Sequence, residues 1–139
     1  MKRSKLHKTS KREIPKLHRK AQPIFNRWIV QRDKRCMHPN CSKTLDQGWQ
    51  LQCSHFWNQG TYGFVRYDEE NADTLCAAHH AANEQLGWEF KKQGEYRDWK
   101  IEQLGEERYK ELENRAHGKG KYYFQWSPEL IKEIIEEYE

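Results

Sequence analysis

Apolar residues recur at helical spacing in two stretches at opposite ends of the chain. After Pro23 an apolar residue returns every three or four positions, with most of the arginines and lysines on other faces. This pattern predicts an amphipathic helix that leads into Cys36 and has Ile24, Phe25, Trp28 and Ile29 as its apolar members. Near the C-terminus, Ser127 and Pro128 have the residue types favoured at a helix N-cap and at the first helical position. We expect that last helix to pack on the core or on a second subunit through Leu130, Ile131, Ile134, Ile135 and Tyr138.

The middle of the chain predicts a small sheet and further helices. Residues 49–57 alternate loosely between apolar and polar, which is typical of a strand, and residues 64–67 are a candidate second strand. Residues 58–63 and 68–71 are polar and turn-like. Residues 74–90 are rich in alanine and predict a helix, and Gly105 separates two more predicted helices at 95–104 and 106–117. Residues 118–120 form a predicted linker. The order of elements predicts an α+β fold.

The composition limits the size of the core. Hydrophobic residues make up 35% of the 139 residues, and charged residues make up 33%. A core this small usually needs a metal or disulfides to hold it together. The chain has four cysteines and no signal peptide, so we expect free thiols and favour a metal. No apolar run approaches 18 residues, so we expect no membrane span.

The net charge of +4 conceals a strong asymmetry along the chain. Residues 1–35 contain 13 Lys and Arg against 2 Asp and Glu, a net of +11, whereas the remaining residues have a net of −7. A basic segment on an acidic body indicates a polyanionic partner, most simply nucleic acid. The alternative is a solvated tail that keeps the protein soluble, or a localisation signal. Residues 1–15 are poor in apolar side chains, and we expect them to be disordered on their own.

Two closely spaced pairs of metal-ligand residues predict a structural zinc site. Cys36 and Cys41 flank a turn, and Cys76 precedes His79 by three positions. Each short segment can supply two ligands to one tetrahedral zinc ion, and Cys₃His is an ordinary structural set. The rival set replaces His79 with Cys53, which we disfavour because Cys53 is isolated in the sequence.

The residues between and beside these pairs resemble the HNH nuclease motif, a ββα unit that holds one divalent cation against a DNA phosphate. His55 lies in the predicted strand and is the candidate general base, because the pKa of a histidine lies near neutral pH. Asn71 is expected to fix the loop that carries the histidine by bridging backbone groups. His80 follows the second zinc pair and is expected to face the groove, where it would bind a catalytic Mg²⁺ or Mn²⁺ with help from waters and phosphate.

Beyond this motif, the chain resembles the phage NinG (Rap) family of recombination proteins. The resembling segments are residues 16–33, 53–56, 66–71, 76–83 and 96–116. The resemblance implies a structure-selective DNA endonuclease that acts on branched recombination intermediates, uses zinc and a catalytic divalent cation, and leaves 5′-phosphate and 3′-hydroxyl ends. Two departures stand out. His79 and His80 replace a cysteine and an asparagine, and Ser54 stands where many HNH enzymes have a metal ligand. The cation could instead recruit Asp73, Glu70 or Asn83.

These inferences give an expected organisation and function. We expect a basic arm at residues 1–15, a zinc-stapled HNH core with its leading helix at 16–95, and a helical extension at 96–139. The expected function is metal-dependent hydrolysis of DNA in the cytoplasm of a bacterial host, close to the nucleoid. Phage or host recombination proteins and a second copy of the chain are possible partners. The alternatives are a zinc-stapled nucleic-acid-binding module without chemistry, and a protein-interaction module. The predicted contacts to the DNA backbone are Arg66, Arg32, Lys34 and Arg35.

Overall fold

The computed structural model describes residues 2–85, 95–118 and 125–139, and it has a mixed α+β fold. Five helices and a two-stranded antiparallel sheet are found in these ranges. Two short 3₁₀ turns at Gly63–Val65 and Glu69–Asn71 lie between the strands. The main elements in chain order are α1 (Lys2–Asp33), β1 (Leu51–His55), β2 (Ala72–Cys76), α2 (Ala77–Gln85), α3 (Glu95–Leu104), α4 (Glu106–Gly118) and α5 (Pro128–Tyr138).

The first helix is longer than its apolar pattern predicts. It covers Lys2–Asp33 and therefore includes the segment 1–15 from Lys2 onward, where we expected an arm without structure of its own. Both Pro15 and Pro23 lie inside the helix on its exposed side. A helical proline cannot donate to the carbonyl four residues earlier, and that carbonyl is accessible to water when the proline faces solvent. The expectation that the helix starts at Pro23 was therefore wrong.

The second strand is not where the sequence placed it. Residues 64–67 form a 3₁₀ turn and its end, and β1 pairs instead with Ala72–Cys76, from Leu51 opposite Cys76 to His55 opposite Ala72. Every residue of β2 is buried, including two polar ones, so the strand shows no alternation. Asp73 is paired with Lys100, and the hydroxyl of Thr74 donates to the carbonyl of Ile29 at 3.3 Å. These partners are remote in sequence, which is why the pattern did not reveal the strand.

The core consists of three connected groups of side chains. The largest lies between α1 and α5 and centres on Ala21, Phe25, Ile29, Ile131 and Ile135. The second surrounds Cys36 and Cys76, where Leu75 and Tyr96 are buried. The third packs α4 on the 3₁₀ turn Gly63–Val65 through Val65, Leu112 and Ala116. The sheet is thus held between the long first helix and the C-terminal helices.

The C-terminal helices match their predictions closely. Helices α3 and α4 are separated at Gly105, whose φ of +85° is a conformation that favours glycine. Ser127 caps α5 by accepting from the backbone N–H of Leu130 at 3.2 Å, and Pro128 occupies the first turn. Residues 86–90 of the predicted helix, and most of the linker at 118–120, lie outside the described residues. The division into domains at residues 15 and 95 stays a prediction. No helix among those described is both long enough and apolar enough to cross a membrane.

Candidate metal centre and adjoining cleft

Two local segments bring four candidate zinc ligands together. The knuckle that carries Cys36 and Cys41 is closed by backbone hydrogen bonds, from Cys36 N to Lys43 O at 3.0 Å and from Cys41 N to His38 O at 3.0 Å. Cys76 ends β2, and His79 lies in the first turn of α2. Because residues three apart share a helix face, the strand-to-helix junction directs both ligands to the same point.

The donor atoms have the spacing that a tetrahedral metal requires. The three sulfurs and one histidine nitrogen all lie within 4.8 Å of one another. The His79 Nδ1 atom is 3.2 Å from Cys76 Sγ and 3.5 Å from Cys36 Sγ. Ligands at about 2.0–2.3 Å from zinc would be separated by such distances. The four residues could therefore hold a metal such as zinc, and the prediction of this set is confirmed to that extent.

Cys53 does not belong to this cluster. Its side chain is buried in the group formed by α1, α5 and Tyr67, and its pKa is raised to about 12, chiefly by burial. The rival assignment with four cysteines is therefore not the one that the fold assembles. The position instead has the character of a small buried strand residue.

Lys43 and His38 surround the metal centre. The Lys43 ammonium is 3.9 Å from Cys76 Sγ and 4.5 Å from the centre of the Trp49 ring. The His38 ring is stacked on His79, with centroids 4.1 Å apart and nearly parallel planes. Three thiolates and one zinc ion would carry a net negative charge, which the ammonium of Lys43 partly compensates. Burial raises the pKa of the Cys36 thiol to about 11, so metal uptake must displace a proton there.

A cleft of about 750 Å³ lies beside the metal centre, and both His55 and His80 line it. His55 is the last residue of β1, and His80 lies one position beyond His79 on α2. Consecutive helix residues are about 100° apart, so His79 faces the metal cluster while His80 faces the cleft. The other described residues of the lining are Asn26, Cys53, Ser54, Phe56, Asn58, Gln59, Gly60 and Tyr96.

The contacts of His55 determine which of its nitrogens can accept a proton. Its Nε2 atom lies 3.0 Å from the carbonyl oxygen of Arg66. A carbonyl only accepts, so in the neutral ring the proton is on Nε2 and the lone pair is on Nδ1. The pKa of His55 is lowered to about 4: burial is the main cause, the contact with the carbonyl of Arg66 opposes it, and the charges of Arg66 and His80 add to it. The ring is therefore neutral at pH 7.

Asn71 fixes the chain directly after His55. The side chain is fully buried and accepts from the backbone N–H of Trp57 at 2.8 Å. Its amide group donates to the carbonyls of Trp57 at 3.0 Å and Val65 at 3.1 Å. One side chain thereby ties the end of β1 to the 3₁₀ turn before β2, which is the bridging geometry expected from its position in the sequence.

The cleft offers His80 no carboxylate neighbour among its described lining residues. His80 Nδ1 is 2.5 Å from Gln52 Oε1, which leaves Nε2 as the nitrogen with the lone pair when the ring is neutral. Asp73, one of the alternatives for a metal ligand, has both carboxylate oxygens on Lys100 at 2.9 and 3.0 Å and also accepts from Tyr96. Glu70 is paired with Arg108 and Arg115. The side chain of Asn83 lies outside the described residues.

Comparison with known proteins identifies the family. The family model described as bacteriophage lambda NinG protein matches the chain over residues 1–139. The chain belongs to the NinG family. No curated protein and no solved structure matches it. The cleft and the metal centre thus belong to a NinG-family chain, and their chemistry must be argued from its own residues.

The predicted DNA contacts have different environments in this NinG-family chain. All three guanidinium nitrogens of Arg32 donate hydrogen bonds within the protein. The acceptors are the carboxylate of Asp33 and the carbonyls of Glu69 and Ala72. Arg32 joins α1 to β2, so its prediction as a DNA contact does not fit its geometry. The Nε atom of Arg35 donates to the carbonyl of Cys36 at 3.2 Å, and Lys34 is exposed with a φ of +58° at the end of α1.

Arg66 is half-buried and has no acidic partner among the residues that the structure describes. Its Nε atom donates to Gln22 Oε1 at 2.9 Å, and its guanidinium lies 5.2 Å from the centre of the Tyr67 ring. Burial lowers its pKa, although Tyr67 opposes this shift. No ion pair of Arg66 exists within the described ranges. This leaves a half-buried cation whose backbone carbonyl also holds His55.

The sequence analysis missed the contribution of α1 to the cleft. Gln22 contacts Arg66 and donates to Asn26 Oδ1 at 2.9 Å, and its amide nitrogen is 3.5 Å from His55 Nε2. Asn26 lines the cleft directly. The only signal in the sequence is that both polar residues lie one turn apart and next to the buried side of the helix. Nothing local shows that this side meets β1.

Proposed function

We propose that this NinG-family chain is a metal-dependent DNA endonuclease that hydrolyses phosphodiester bonds in the cleft between β1, α1 and α2. The observation that carries the proposal is the pairing of His55 and His80 in one cleft next to a zinc-type centre. Each histidine has one nitrogen engaged by a protein oxygen, at Arg66 O and Gln52 Oε1. In the neutral rings, Nδ1 of His55 and Nε2 of His80 therefore carry the lone pairs that could take up a proton or bind a metal ion.

His55 is the general base in this proposal. Its Nδ1 atom accepts the proton of a water that attacks the phosphorus, and the imidazolium that forms is stabilised at Nε2 by the carbonyl of Arg66. The pKa near 4 keeps the base neutral before the reaction, and proximity of a phosphate would raise it toward neutrality. Asn71 keeps the ring in place by fixing the backbone of Trp57, two residues after His55.

His80 is the proposed ligand for a divalent cation. A single imidazole without a carboxylate is a weak site for Mg²⁺, so the substrate phosphate and waters must complete the coordination. When bound there, Mg²⁺ or Mn²⁺ would neutralise the scissile phosphate and stabilise the leaving 3′ oxygen. Cysteine and histidine at the zinc centre would be structural, because a closed tetrahedron has no open position for substrate.

Branched recombination intermediates are the proposed substrates, and this part of the proposal rests on the resemblance to NinG proteins. The test is cleavage of a four-way DNA junction and of supercoiled plasmid with Mg²⁺ or Mn²⁺. His55→Ala should lower the rate by a factor on the order of 10²–10⁴, because the water must then lose its proton to solvent. His80→Ala should also lose activity, but excess Mn²⁺ should restore part of it, whereas it should not restore the His55 variant.

His117→Ala is the control for removal of a histidine ring, because His117 is exposed and lies outside the described cleft lining; its ring packs against Trp57 and Tyr62. Zinc content and melting temperature must match the parent protein in each variant. Cleavage at the normal rate by His55→Ala would refute the proposed mechanism.

A non-catalytic nucleic-acid-binding module is the second candidate. It is favoured by the lack of a carboxylate among the described residues that line the cleft and by the low pKa of His55. DNA binding without any cleavage, across both metals and both substrates, would select this candidate.

A further inference from the structure

The exposed side of α1 carries five cations within one narrow stripe. At about 100° per residue, these side chains fall in a sector of roughly 100° around the helix. The distance from the first to the last is roughly 22 Å along the axis, from the helical rise per residue. We call this set the α1 stripe; it consists of Arg12, Lys16, Arg19, Lys20 and Arg27, all exposed.

Within the described part of the chain, the α1 stripe differs from other cations of the protein in having no acidic partner. Arg32, Arg108, Arg115 and Lys100 each pair with a carboxylate. No member of the stripe makes an ion pair with any residue that the structure describes. Like charges three or four positions apart on a helix repel one another, so the stripe is electrostatically unfavourable in isolation. A bound polyanion would remove that repulsion.

The stripe continues directly into the cleft. Asn26 lines the cleft, and Arg19 lies two turns before it on almost the same line of the helix. Arg27 follows Asn26 immediately. Helix α5, which carries four glutamates, packs against the opposite side of α1 through Phe25 and Trp28. A polyanion that enters the cleft can therefore run along α1 without meeting the acidic helix.

We propose that the α1 stripe binds the phosphate backbone of duplex DNA that extends from the cleft. Its length is about two thirds of one turn of B-DNA, so its charges can follow one edge of a groove. The inference rests on the proposed action of the cleft on DNA and adds the path of the flanking duplex. The proposed DNA contacts are therefore exposed residues of α1 and not Arg32, whose guanidinium is hydrogen-bonded within the protein.

The experiment compares two triple variants of the full chain. Lys16→Gln, Lys20→Gln and Arg27→Gln together remove three charges from the stripe. The control combines Arg97→Gln, Arg108→Gln and Lys110→Gln, which removes three exposed charges from α3 and α4. Binding to a fluorescein-labelled DNA duplex of about two turns is measured by anisotropy without Mg²⁺ or Mn²⁺, at several NaCl concentrations. Zinc content and melting temperature are measured for each variant.

If the three stripe residues each contact a phosphate, the slope of log K against log salt should become shallower by about 2.7, at about 0.9 per contact. The parent protein would then lose roughly 40-fold more affinity than the stripe variant between about 50 and 200 mM NaCl. The charge-preserving variant with Lys16→Arg, Lys20→Arg and Arg27→Lys should keep the parent slope. The control triple should change the slope by less than about 0.9, the value of one phosphate contact.

Equal weakening in the stripe and control triples would overturn the inference, because only net charge would then matter. An unchanged slope in the stripe triple, or a lost slope in the charge-preserving variant, would also overturn it. The outcome is separate from that of the cleavage test. A stripe-dependent slope in a protein that never cleaves would retain the DNA path and refute the nuclease. Cleavage combined with a salt slope that does not depend on the stripe would support the nuclease and refute the DNA path along α1.

Discussion

Replacing Asn71 with alanine should strongly destabilise the protein, although the residue carries no charge and is remote from the zinc-type centre. The side chain is fully buried and makes three hydrogen bonds to backbone groups, at Trp57 N, Trp57 O and Val65 O. Alanine leaves all three groups without that partner in a place that water reaches poorly. Each unsatisfied buried group costs about 1–3 kcal/mol. Partial relaxation should limit the total to about 3–5 kcal/mol.

The melting temperature gives a direct measurement of this loss. For a chain of this size, 1 kcal/mol corresponds to about 3–4 °C, so Asn71→Ala should melt roughly 9–20 °C below the parent. The matched control is Asn114→Ala on the exposed surface of α4, which should change stability by less than about 0.5 kcal/mol. Chemical denaturation of both variants should give the same difference in the free energy of unfolding.

Asn71→Asp separates the loss of donors from the loss of volume. Aspartate keeps an oxygen for the N–H of Trp57 but directs its other oxygen at two carbonyls. At pH 7 it should be at least as destabilising as alanine, because a buried carboxylate also loses its hydration. If both variants melt within about 2 °C of the parent, the side chain does not bridge β1 to the following turn and the reasoning fails.

Three further outcomes follow from other buried groups. One zinc ion per chain should be found by elemental analysis, and a strong chelator should unfold the protein; folded, metal-free protein with unchanged melting would contradict the metal centre. Lys100→Met should cost about 3–5 kcal/mol, because it leaves the buried Asp73 carboxylate without its cation, and a second change of Asp73→Asn should recover part of the loss. Burial, followed by the charge of Arg66, lowers the pKa of His18 from 6.5 to about 4 in the folded protein. Between pH 6.5 and pH 4 the unfolded chain therefore binds a proton at His18 that the folded protein does not bind. Stability should therefore fall as pH drops from 6.5 to 4, and His18→Gln, whose amide oxygen can still accept from Tyr67, should flatten that fall in a thermal melt series; an equally steep fall in the variant would contradict this assignment.

The parts of the molecule that depend on short stretches of chain were predictable from the sequence. Two ligands within one turn, as at Cys36 and Cys41, converge whatever the rest of the fold does. The same holds for Cys76 and His79 at a strand-to-helix junction, and for the cap of α5 at Ser127, because each involves residues only a few positions apart. The place of His55 on the first strand also followed from the motif, whereas Asn71 lies before β2 and not after the second strand predicted at 64–67.

The tertiary structure alone decided which polar residues are buried and what they bind. Strand β2 carries Asp73 and Thr74 inside the core, where the side chains are satisfied by Lys100, Tyr96 and the carbonyl of Ile29, all remote in sequence. Arg32 and Lys16 are both basic residues of α1, yet one joins the helix to β2 and the other faces solvent. The difference depends on which side of the helix meets the sheet. A local pattern records the periodicity of a helix, whereas the energy of burying a charge or an amide depends on a partner that folding brings from elsewhere in the chain.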